Sequence, residues 1–415
     1  ITGDLMENDL GIDDIKREKL IENVDVVIHG AATVKFDEHI KKATDINVKG
    51  TKSMIELCHH IKHLDAFVYI STAFSNCSHM EIKEEFYDPP LNCDELIQLT
   101  KQHTNEELEL MTEKIIGNWP NSYTFTKAIA ENAVKTYAKG LPVCVFRPAI
   151  IIGTLNEPVP GWIDNIYGPT GLLAGVALGI IRVIYSEPNA KAAIVPADMV
   201  ASAIVAATYK TYLMGPTNEI PIYNYVTAKE NPITWSEYMN LALKVGKDMP
   251  LKKAVWKHSC TLKSNPFIFA LYSFFLHFIP AVLADLVLLL LNKKTGALRT
   301  FKKGSKIMKV LSYFATKTWT FSDSNVQALW SGLNKEDKQL FNFNMETLDW
   351  NEYFKSAIPG VRLYIFNETA KDIPDAMRKF KRESLIETTF FTIFYGLLAM
   401  LLWKWTSYIY ILLKT

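Results

Sequence analysis

The sequence has few cysteines, and their spacing does not suit a metal site or a disulfide framework. Only five occur in 415 residues, and no two form a Cys-x-x-Cys pair: Cys58, Cys77, Cys93, Cys144 and Cys260. Zinc sites and disulfide-stapled domains normally use closely spaced cysteines. The pattern argues against both and predicts reduced thiols in a chain that faces the cytosol.

The sequence also has no surplus of positive charge. Lysine and arginine total 45 against 44 for aspartate and glutamate, which gives a formal net charge of +1. Nucleic-acid-binding domains normally carry a basic surplus, so nucleic acid is not expected as a partner. The residues after Ile1 also lack the basic-then-apolar pattern of a secretory signal peptide.

Three apolar runs in the first half predict buried parallel strands, and two helical segments separate them. The strand-like runs are VDVVIHGAA (24–32), AFVYISTAF (66–74) and LPVCVFRPAIIIG (141–153). Helical patterns cover residues 40–63 and 121–139. This alternation predicts a doubly wound, Rossmann-type α/β domain over residues 1–265, which would bind ligands at the carboxyl ends of its strands.

Residues 266–291 form a strongly apolar run that is interrupted by Pro280 and Asp285. The interruptions predict two short helices rather than one span. A membrane-dipping hairpin, the wall of an apolar tunnel and an ordinary core hairpin all fit this pattern. A basic linker completes the segment 266–309, and residues 310–383 are predicted to form a small helical domain.

Residues 384–415 are predicted to be a C-terminal membrane anchor. The stretch 388–403 is uncharged but is shorter than the roughly 20 residues that a membrane span needs. Residues 388–413 are long enough if the side chain of Lys404 extends toward the membrane interface. Four basic residues precede it between 378 and 382, so the positive-inside rule keeps the long N-terminal part in the cytosol. The alternative is a helix that packs on the protein.

The pattern Tyr-x-x-x-Lys occurs at four places: Tyr123/Lys127, Tyr225/Lys229, Tyr313/Lys317 and Tyr410/Lys414. Residues four apart share one face of a helix, where a lysine can lower the pKa of a phenol. A carbonyl reductase needs such a phenol as proton donor, together with a hydroxyl that grips the substrate oxygen. Only Tyr123/Lys127 opens a predicted helix that follows a strand ending in Ser71 and Thr72.

With these motifs in place, the chain resembles the alcohol-forming fatty acyl-CoA reductases of the insect type, which are extended short-chain dehydrogenase/reductases. The resemblance covers essentially the whole chain. Its strongest segments are VVIHGAATVKFDE (26–38), TDINVKGTKSMIELC (44–58), FVYISTAFSNC (67–77), NSYTFTKAIAE (121–131), VFRPAIIIG (145–153), PVPGWIDNIYGPTG (158–171) and DWNEYFKSAIPGVRLYIF (349–366).

The resemblance implies a role for each matching catalytic residue. Tyr123 would donate the proton, Lys127 would assist it and hold the nicotinamide ribose, and Thr72 would supply the second hydroxyl, with Ser71 as its alternative. Asn47 would steady the helix near the lysine or support a water relay, unless it only caps a turn. No metal ion is implied.

The resemblance also implies residues that contact the cofactor. Besides Lys127, they are Asp4, Leu5, Gly30, Ala31, Ala32, Pro148, Ala149 and Ile150. The two alanines would allow a close approach of the adenosine half, and Asp4 would lie near the adenine. Alternatively, the two alanines only allow tight packing, and Asp4 is a solvated carboxylate in a loop. Arg147 is interpreted as structural.

By resemblance, the reaction is the NADPH-dependent reduction of long-chain acyl-CoA to a primary alcohol through an aldehyde. The compartment would be the membrane of the endoplasmic reticulum, peroxisome or lipid droplet. Another extended reductase, of the sterol or sugar-nucleotide type, and a non-catalytic scaffold are the alternatives.

One departure from the family stands out. The segment ITGDL (1–5) has one glycine where the family has Gly-x-x-Gly-x-x-Gly. This predicts an N-terminally incomplete sequence that lacks its first strands, or else a lost cofactor site.

Overall fold

A computed structural model of the chain describes residues 1–227, 229 and 231–412. Its centre is a parallel sheet with the strand order β1-β2-β4-β8, so the predicted doubly wound sheet is confirmed. Within the described residues the strands are β1 (Val26–His29), β2 (Ala66–Ile70), β3 (Glu81–Ile82), β4 (Val143–Pro148), β5 (Ile150–Ile152), β6 (Val183–Tyr185), β7 (Ile194–Pro196), β8 (Ile222–Tyr225), β9 (Thr261–Lys263) and β10 (Thr320–Phe321).

Helices cover both faces of the sheet and form most of the C-terminal third. They are α1 (Asp14–Asn23), α2 (Ile40–Thr44), α3 (Gly50–His60), α4 (Cys93–Gln102), α5 (Asn105–Ile116), α6 (Ser122–Tyr137), α7 (Gly168–Ala177), α8 (Ala197–Met214), α9 (Trp235–Asp248), α10 (Pro266–Ser273), α11 (Ile279–Leu290), α12 (Ala297–Ala315), α13 (Ser324–Ser331), α14 (Lys335–Leu340), α15 (Trp350–Gly360) and α16 (Ile373–Leu412). Three π-helical turns join some of them, at Asp45–Lys49, Phe274–Phe278 and Val361–Ile365.

The central strands are apolar on both sides because both sides are covered. On one side, Phe67 and Val145 pack with Ile129 of α6. On the other side, Val68 and Phe146 belong to a core cluster that also contains residues of α8 and of the C-terminal helices. The predicted helical domain 310–383 therefore shares a core with the sheet domain.

Smaller parallel strand pairs fasten the later parts of the chain to the sheet domain. Strand β10 pairs with β3, so the segment after α12 is hydrogen-bonded to the segment after β2. The hydroxyl of Tyr353 in α15 donates to the carbonyl of Gly153 at a distance of 3.1 Å. These contacts place the C-terminal helices over the carboxyl edge of the sheet.

The prediction of two short helices over 266–291 was wrong. Pro266–Leu290 is one continuous helix, made of α10, the π-turn Phe274–Phe278 and α11. A proline removes a backbone donor and crowds the preceding turn, and the wider π-turn directly before Pro280 accommodates both effects. The segment after it is also no plain linker, because α12 is a helix that packs against α11.

Residues 384–412 of the segment predicted as an anchor form the C-terminal part of the long helix α16. Residues 413–415 lie outside the described residues, and with them Lys414 of the Tyr410/Lys414 pair. By length and composition, Pro266–Leu290 is the one helix in the described part of the chain that meets the criteria for crossing a membrane.

Candidate active site

Helix α6 carries the tyrosine and lysine in its first two turns. Asn121 caps the helix by accepting a hydrogen bond from the Thr124 amide at 2.9 Å. This cap fixes the start of the helix, so that Tyr123 and Lys127 lie one turn apart beside the carboxyl end of β2.

Tyr123 faces Thr72, the second residue after β2. The Thr72 hydroxyl is a polar neighbour of the phenol, and the Tyr123 ring stacks on Phe36 with 5.8 Å between ring centroids. Burial raises the pKa of Tyr123 to about 12, and the neighbouring Thr72 hydroxyl opposes this shift. The phenol is therefore protonated at neutral pH, which is the form that donates a proton.

Lys127 is almost completely buried, and its ammonium group does not lower the pKa of the phenol as expected. Its Nζ donates to the Ile70 carbonyl at 2.7 Å and lies 4.9 Å from the centre of the Tyr69 ring. Burial lowers the pKa of Lys127 to about 8, and the nearby Glu131 carboxylate opposes that shift. Desolvation thus dominates both members of the pair.

Ser71, the alternative to Thr72, has a partner of its own. Its hydroxyl donates to Oε1 of Glu131 at 2.5 Å. Glu131 in turn forms a buried ion pair with Arg147, with Nε to Oε1 at 2.9 Å and a terminal nitrogen to Oε2 at 2.6 Å. The contacts of Arg147 agree with the structural role inferred for it.

Asn47 connects the loop after β1 to helix α6. Its Oδ1 accepts from the Thr33 amide at 2.9 Å, and its Nδ2 donates to Thr126 Oγ1 at 2.9 Å. Thr126 lies directly before Lys127 in the chain. Of the three roles considered for Asn47, these contacts favour the one that steadies the helix.

The residues after β1 and the lysine suit a nicotinamide cofactor. Gly30 and Ala31 are exposed at the carboxyl end of β1, and Ala32 is partly buried, so a ligand can approach the backbone closely. An ammonium group has three donors. Among the described residues, the Lys127 ammonium group donates to one acceptor, the Ile70 carbonyl. Its remaining N–H donors can therefore bind the hydroxyl groups of a ribose.

The other residues expected to contact the cofactor are placed less favourably. The amides of Ala149 and Ile150 already donate to the carbonyls of Tyr225 and Ala193, and the Pro148 carbonyl accepts from Ala73. Their polar groups thus join β4 and β5 to neighbouring segments, although a carbonyl oxygen can accept a second bond.

Asp4 and Leu5 lie in a loop on the side of α3. The Asp4 side chain is exposed and accepts from the Met6 amide at 2.9 Å, so it orders its own loop. Leu5 packs against Gly50, the first residue of α3, closely enough that a Cβ at position 50 would lie 2.9 Å from the Leu5 Cβ. The structure therefore gives Leu5 a packing contact.

A cavity of about 270 Å³ lies at the carboxyl edge of the sheet, and Phe74 and Phe314 in its wall separate it from Thr72 and Tyr123. Its wall includes Phe74, whose amide donates to Thr72 Oγ1 at 3.2 Å, and Phe314, which packs against Phe36. Trp319 and Phe321 complete an aromatic cluster around Phe74. Sequence reasoning missed this wall, although the aromatic residues of SYFATKTWTF (312–321) were a signal for it.

Two of the other Tyr-x-x-x-Lys pairs have structural partners. The Tyr225 hydroxyl donates to the Phe343 carbonyl at 2.8 Å, and Tyr313 donates to the Cys77 carbonyl at 3.1 Å. Within the described part of the chain, no cluster of histidine, cysteine, aspartate or glutamate could hold a metal ion.

Comparisons with known proteins agree on one family. Two family models described as "Male sterility protein", the first of them NAD-binding, match residues 1–204 and 276–368. The chain is 38% identical to fatty acyl-CoA reductase wat of Drosophila melanogaster and 33% identical to human fatty acyl-CoA reductase 1. Each match covers 97% of this chain and 78% of the relative.

Solved structures support the same fold at low sequence identity. The terminal R domain of the myxalamid pathway gives a TM-score of 0.56 at 15% identity and covers 89% of this chain and 76% of that domain. The reductase domain of a nonribosomal peptide synthetase from Mycobacterium tuberculosis gives 0.52 at 17% identity, with 88% and 75% covered. Both are Rossmann-like reductase domains.

Proposed function

The chain belongs to the fatty acyl-CoA reductase family and is an oxidoreductase, and from this premise we propose that it reduces long-chain fatty acyl-CoA to a primary alcohol with NADPH. The observation that carries the proposal is the placement of the Tyr123 hydroxyl near the Thr72 hydroxyl and one helical turn from the buried Lys127. It lies at the carboxyl end of the sheet, where doubly wound folds bind their ligands.

Tyr123 is the proposed proton donor in both reduction steps. Its raised pKa keeps the phenol protonated at neutral pH, and Thr72 orients it. When bound, the cofactor supplies the hydride. As negative charge develops on the thioester oxygen, the two hydroxyls stabilise that oxygen and Tyr123 gives it a proton.

The resulting hemithioacetal then loses coenzyme A as a thiol and leaves an aldehyde. A second reduction at the same two hydroxyls gives the alcohol, so each acyl-CoA consumes two hydrides and two protons. Lys127, whose ammonium lies against the Ile70 carbonyl, is proposed to hold the nicotinamide ribose.

The aromatic cavity is the proposed site for the acyl chain near the thioester. Phe74, Phe314 and Trp319 provide an apolar part of its wall, against which the methylene groups of an acyl chain would pack. The exposed backbone at Gly30 and Ala31 is the proposed approach for the adenosine half of the cofactor.

Membrane attachment is proposed for the second half of α16. Residues 388–403 are uncharged, and Ile393, Met400 and Trp403 are more than half exposed in the structure. The basic residues at 378–382 keep the catalytic part on the cytosolic side of an intracellular membrane. A lipid-soluble substrate chain and product suit that location.

Product analysis tests the proposal. The complete reading frame is expressed in yeast as the wild type and as Tyr123→Phe, with Tyr209→Phe, on the exposed side of α8, as the control. Long-chain primary alcohols from the wild type and the control, detected by gas chromatography and mass spectrometry, are expected to fall at least about 100-fold in Tyr123→Phe. Undiminished alcohol from Tyr123→Phe would refute the proton-donor role, and its absence from the wild type would refute the reaction.

A further inference from the structure

The continuous helix Pro266–Leu290, named here the apolar helix, presents a long apolar stripe to its surroundings. Phe267 is 76% exposed and Leu290 is 83% exposed. The stripe between them consists of exposed aromatic and aliphatic side chains: Leu271, Phe274, Phe275, Leu283, Leu286 and Val287. Soluble monomers rarely expose a contiguous apolar patch of this extent without a partner.

The opposite side of the apolar helix is fixed to the protein along its length. Phe269 packs against Tyr185 of β6, with 5.4 Å between ring centroids. Phe278 packs against Phe301 of α12 at 5.8 Å. Further along, the Asp285 carboxylate accepts from three amides at the start of α12, at 2.8–3.0 Å. The exposed stripe is therefore held outward rather than left free to fold back.

The apolar helix and the predicted anchor meet at one arginine. The backbone amide of Arg182 donates to Nε2 of His277 in the apolar helix at 2.8 Å, and its guanidinium group is paired with Glu387 of α16. Lys257 is also paired with Glu387, which is the last charged residue before the apolar end of α16. If α16 enters a bilayer after Glu387, the surface of that bilayer would therefore lie next to the apolar helix.

Exposed basic residues follow the apolar helix directly. Lys293 and Lys294 occupy the turn after it, and Arg299, Lys302 and Lys303 lie in the first turns of α12. An apolar stripe bordered by lysine and arginine matches the two layers of a membrane surface, the acyl chains and the anionic headgroups.

We propose that the apolar helix is a second membrane contact, which lies in the plane of the bilayer with its stripe among the acyl chains and the following lysines at the headgroups. The proposal rests on the membrane anchoring proposed for α16. A crossing orientation is disfavoured because protein covers the inner side of the helix, and because crossing would draw the cations of α12 into the hydrocarbon.

Site-specific labelling of the full-length protein tests this orientation. In a Cys260→Ser background, in which the other cysteines are buried, single cysteines replace Phe275 or Leu286 and carry an environment-sensitive NBD dye. Tyr209→Cys on α8, an exposed apolar position on a different helix, is the matched control, and Ile393→Cys reports on the anchor. The proteins are placed in vesicles of phosphatidylcholine with and without phosphatidylserine.

Labels at 275 and 286 are expected to be quenched by nitroxide-bearing acyl chains at least about twofold more than the label at 209, and more strongly in the anionic vesicles. Quenching by aqueous iodide instead would overturn the inference, and shielding from both quenchers would assign the stripe to a second protein copy. A lipid-exposed label at 393 with aqueous labels at 275 and 286 would leave the anchor standing alone. Alcohol production by the labelled proteins reports separately on the proposed reaction.

Discussion

Glu131 and Arg147 form a two-point ion pair inside the protein, directly behind the strand end that carries the candidate catalytic hydroxyl. Arg147 is completely buried and Glu131 is 2% exposed. The same carboxylate accepts hydrogen bonds from Ser71 at 2.5 Å and from Ser75 at 2.9 Å. The Ser71 hydroxyl is thus engaged by the ion pair, whereas the Thr72 hydroxyl is a neighbour of the Tyr123 phenol.

This division of roles predicts opposite phenotypes for two adjacent residues. Thr72→Val should lower kcat about 100- to 1,000-fold with little change in stability, because it removes a donor from the developing oxyanion. Ser71→Ala should keep kcat within about tenfold and lower the free energy of unfolding by roughly 1–3 kcal/mol, because Glu131 loses a buried donor. Steady-state kinetics and chemical unfolding measure the two effects. Thr72→Ser should restore most of the activity, and a reversed pattern would show that Ser71 is the catalytic hydroxyl.

Removing one partner of the buried ion pair should be costly. Arg147→Met leaves the Glu131 carboxylate without its counter-ion and is expected to destabilise the fold by about 3–5 kcal/mol. The double variant Glu131→Leu/Arg147→Met should lose less than the sum of the two single variants, because no buried charge is left unpaired. Lys355→Met, which breaks the exposed pair with Glu352, is the control and should show no resolvable change. Additive losses in unfolding experiments would contradict a coupled pair.

How much of this site could be predicted depends on the sequence distance between its parts. Tyr123, Lys127 and the hydroxyls at 71 and 72 were predictable, because helix spacing and a strand end are local patterns. The preference for Thr72 over Ser71 came from the family resemblance and not from a local pattern, because the contact that engages Ser71 involves Glu131, which lies 60 residues away. The cavity wall at Phe314 and the π-turn before Pro280 were also missed, because long-range packing and a shift in hydrogen-bond register leave only weak local signals.

The pKa of Lys127, lowered to about 8 by burial, predicts a pH dependence of activity. Because the ammonium form is the one that carries a positive charge and three donors for the Ile70 carbonyl and a ribose hydroxyl, kcat/KM should fall as the pH rises through about 8. Lys127→Arg keeps its charge across this range and should flatten that limb at a lower overall rate. Lys52→Arg, at the partly exposed ion pair with Asp94, is the control and should keep the wild-type profile.

The same lysine should affect stability with the opposite sign. Its pKa is lowered in the folded state from 10.5, so the unfolded chain binds more protons between pH 8 and 10.5. Relative to Lys127→Met, the wild type should therefore gain roughly 1–3 kcal/mol of unfolding free energy as the pH rises through this window. If activity falls with pH while the wild type gains this unfolding free energy relative to Lys127→Met, the loss of activity is due to titration of Lys127 and not to unfolding. A parallel loss of both would rule out Lys127 as the titrating group.

Two glycines join the sheet domain to the C-terminal helices, and neither position has room for a side chain. A Cβ at Gly360, at the end of α15, would overlap the carbonyl of Gly161, and a Cβ at Gly161 would overlap the carbonyl of Ser356. Gly161 also has a φ of +75°, which adds strain to any substitution. Gly360→Ala should therefore lower the unfolding free energy by about 1–3 kcal/mol, and Gly161→Ala by more.

The control is Gly304→Ala in α12, where a Cβ would meet no atom within 4 Å and a gain of about 0.5–1 kcal/mol is expected. Both domains contribute to the cavity wall, so a loosened junction should lower activity along with thermal stability. Full stability in Gly360→Ala would show that the backbone contact is not needed to hold the two regions together.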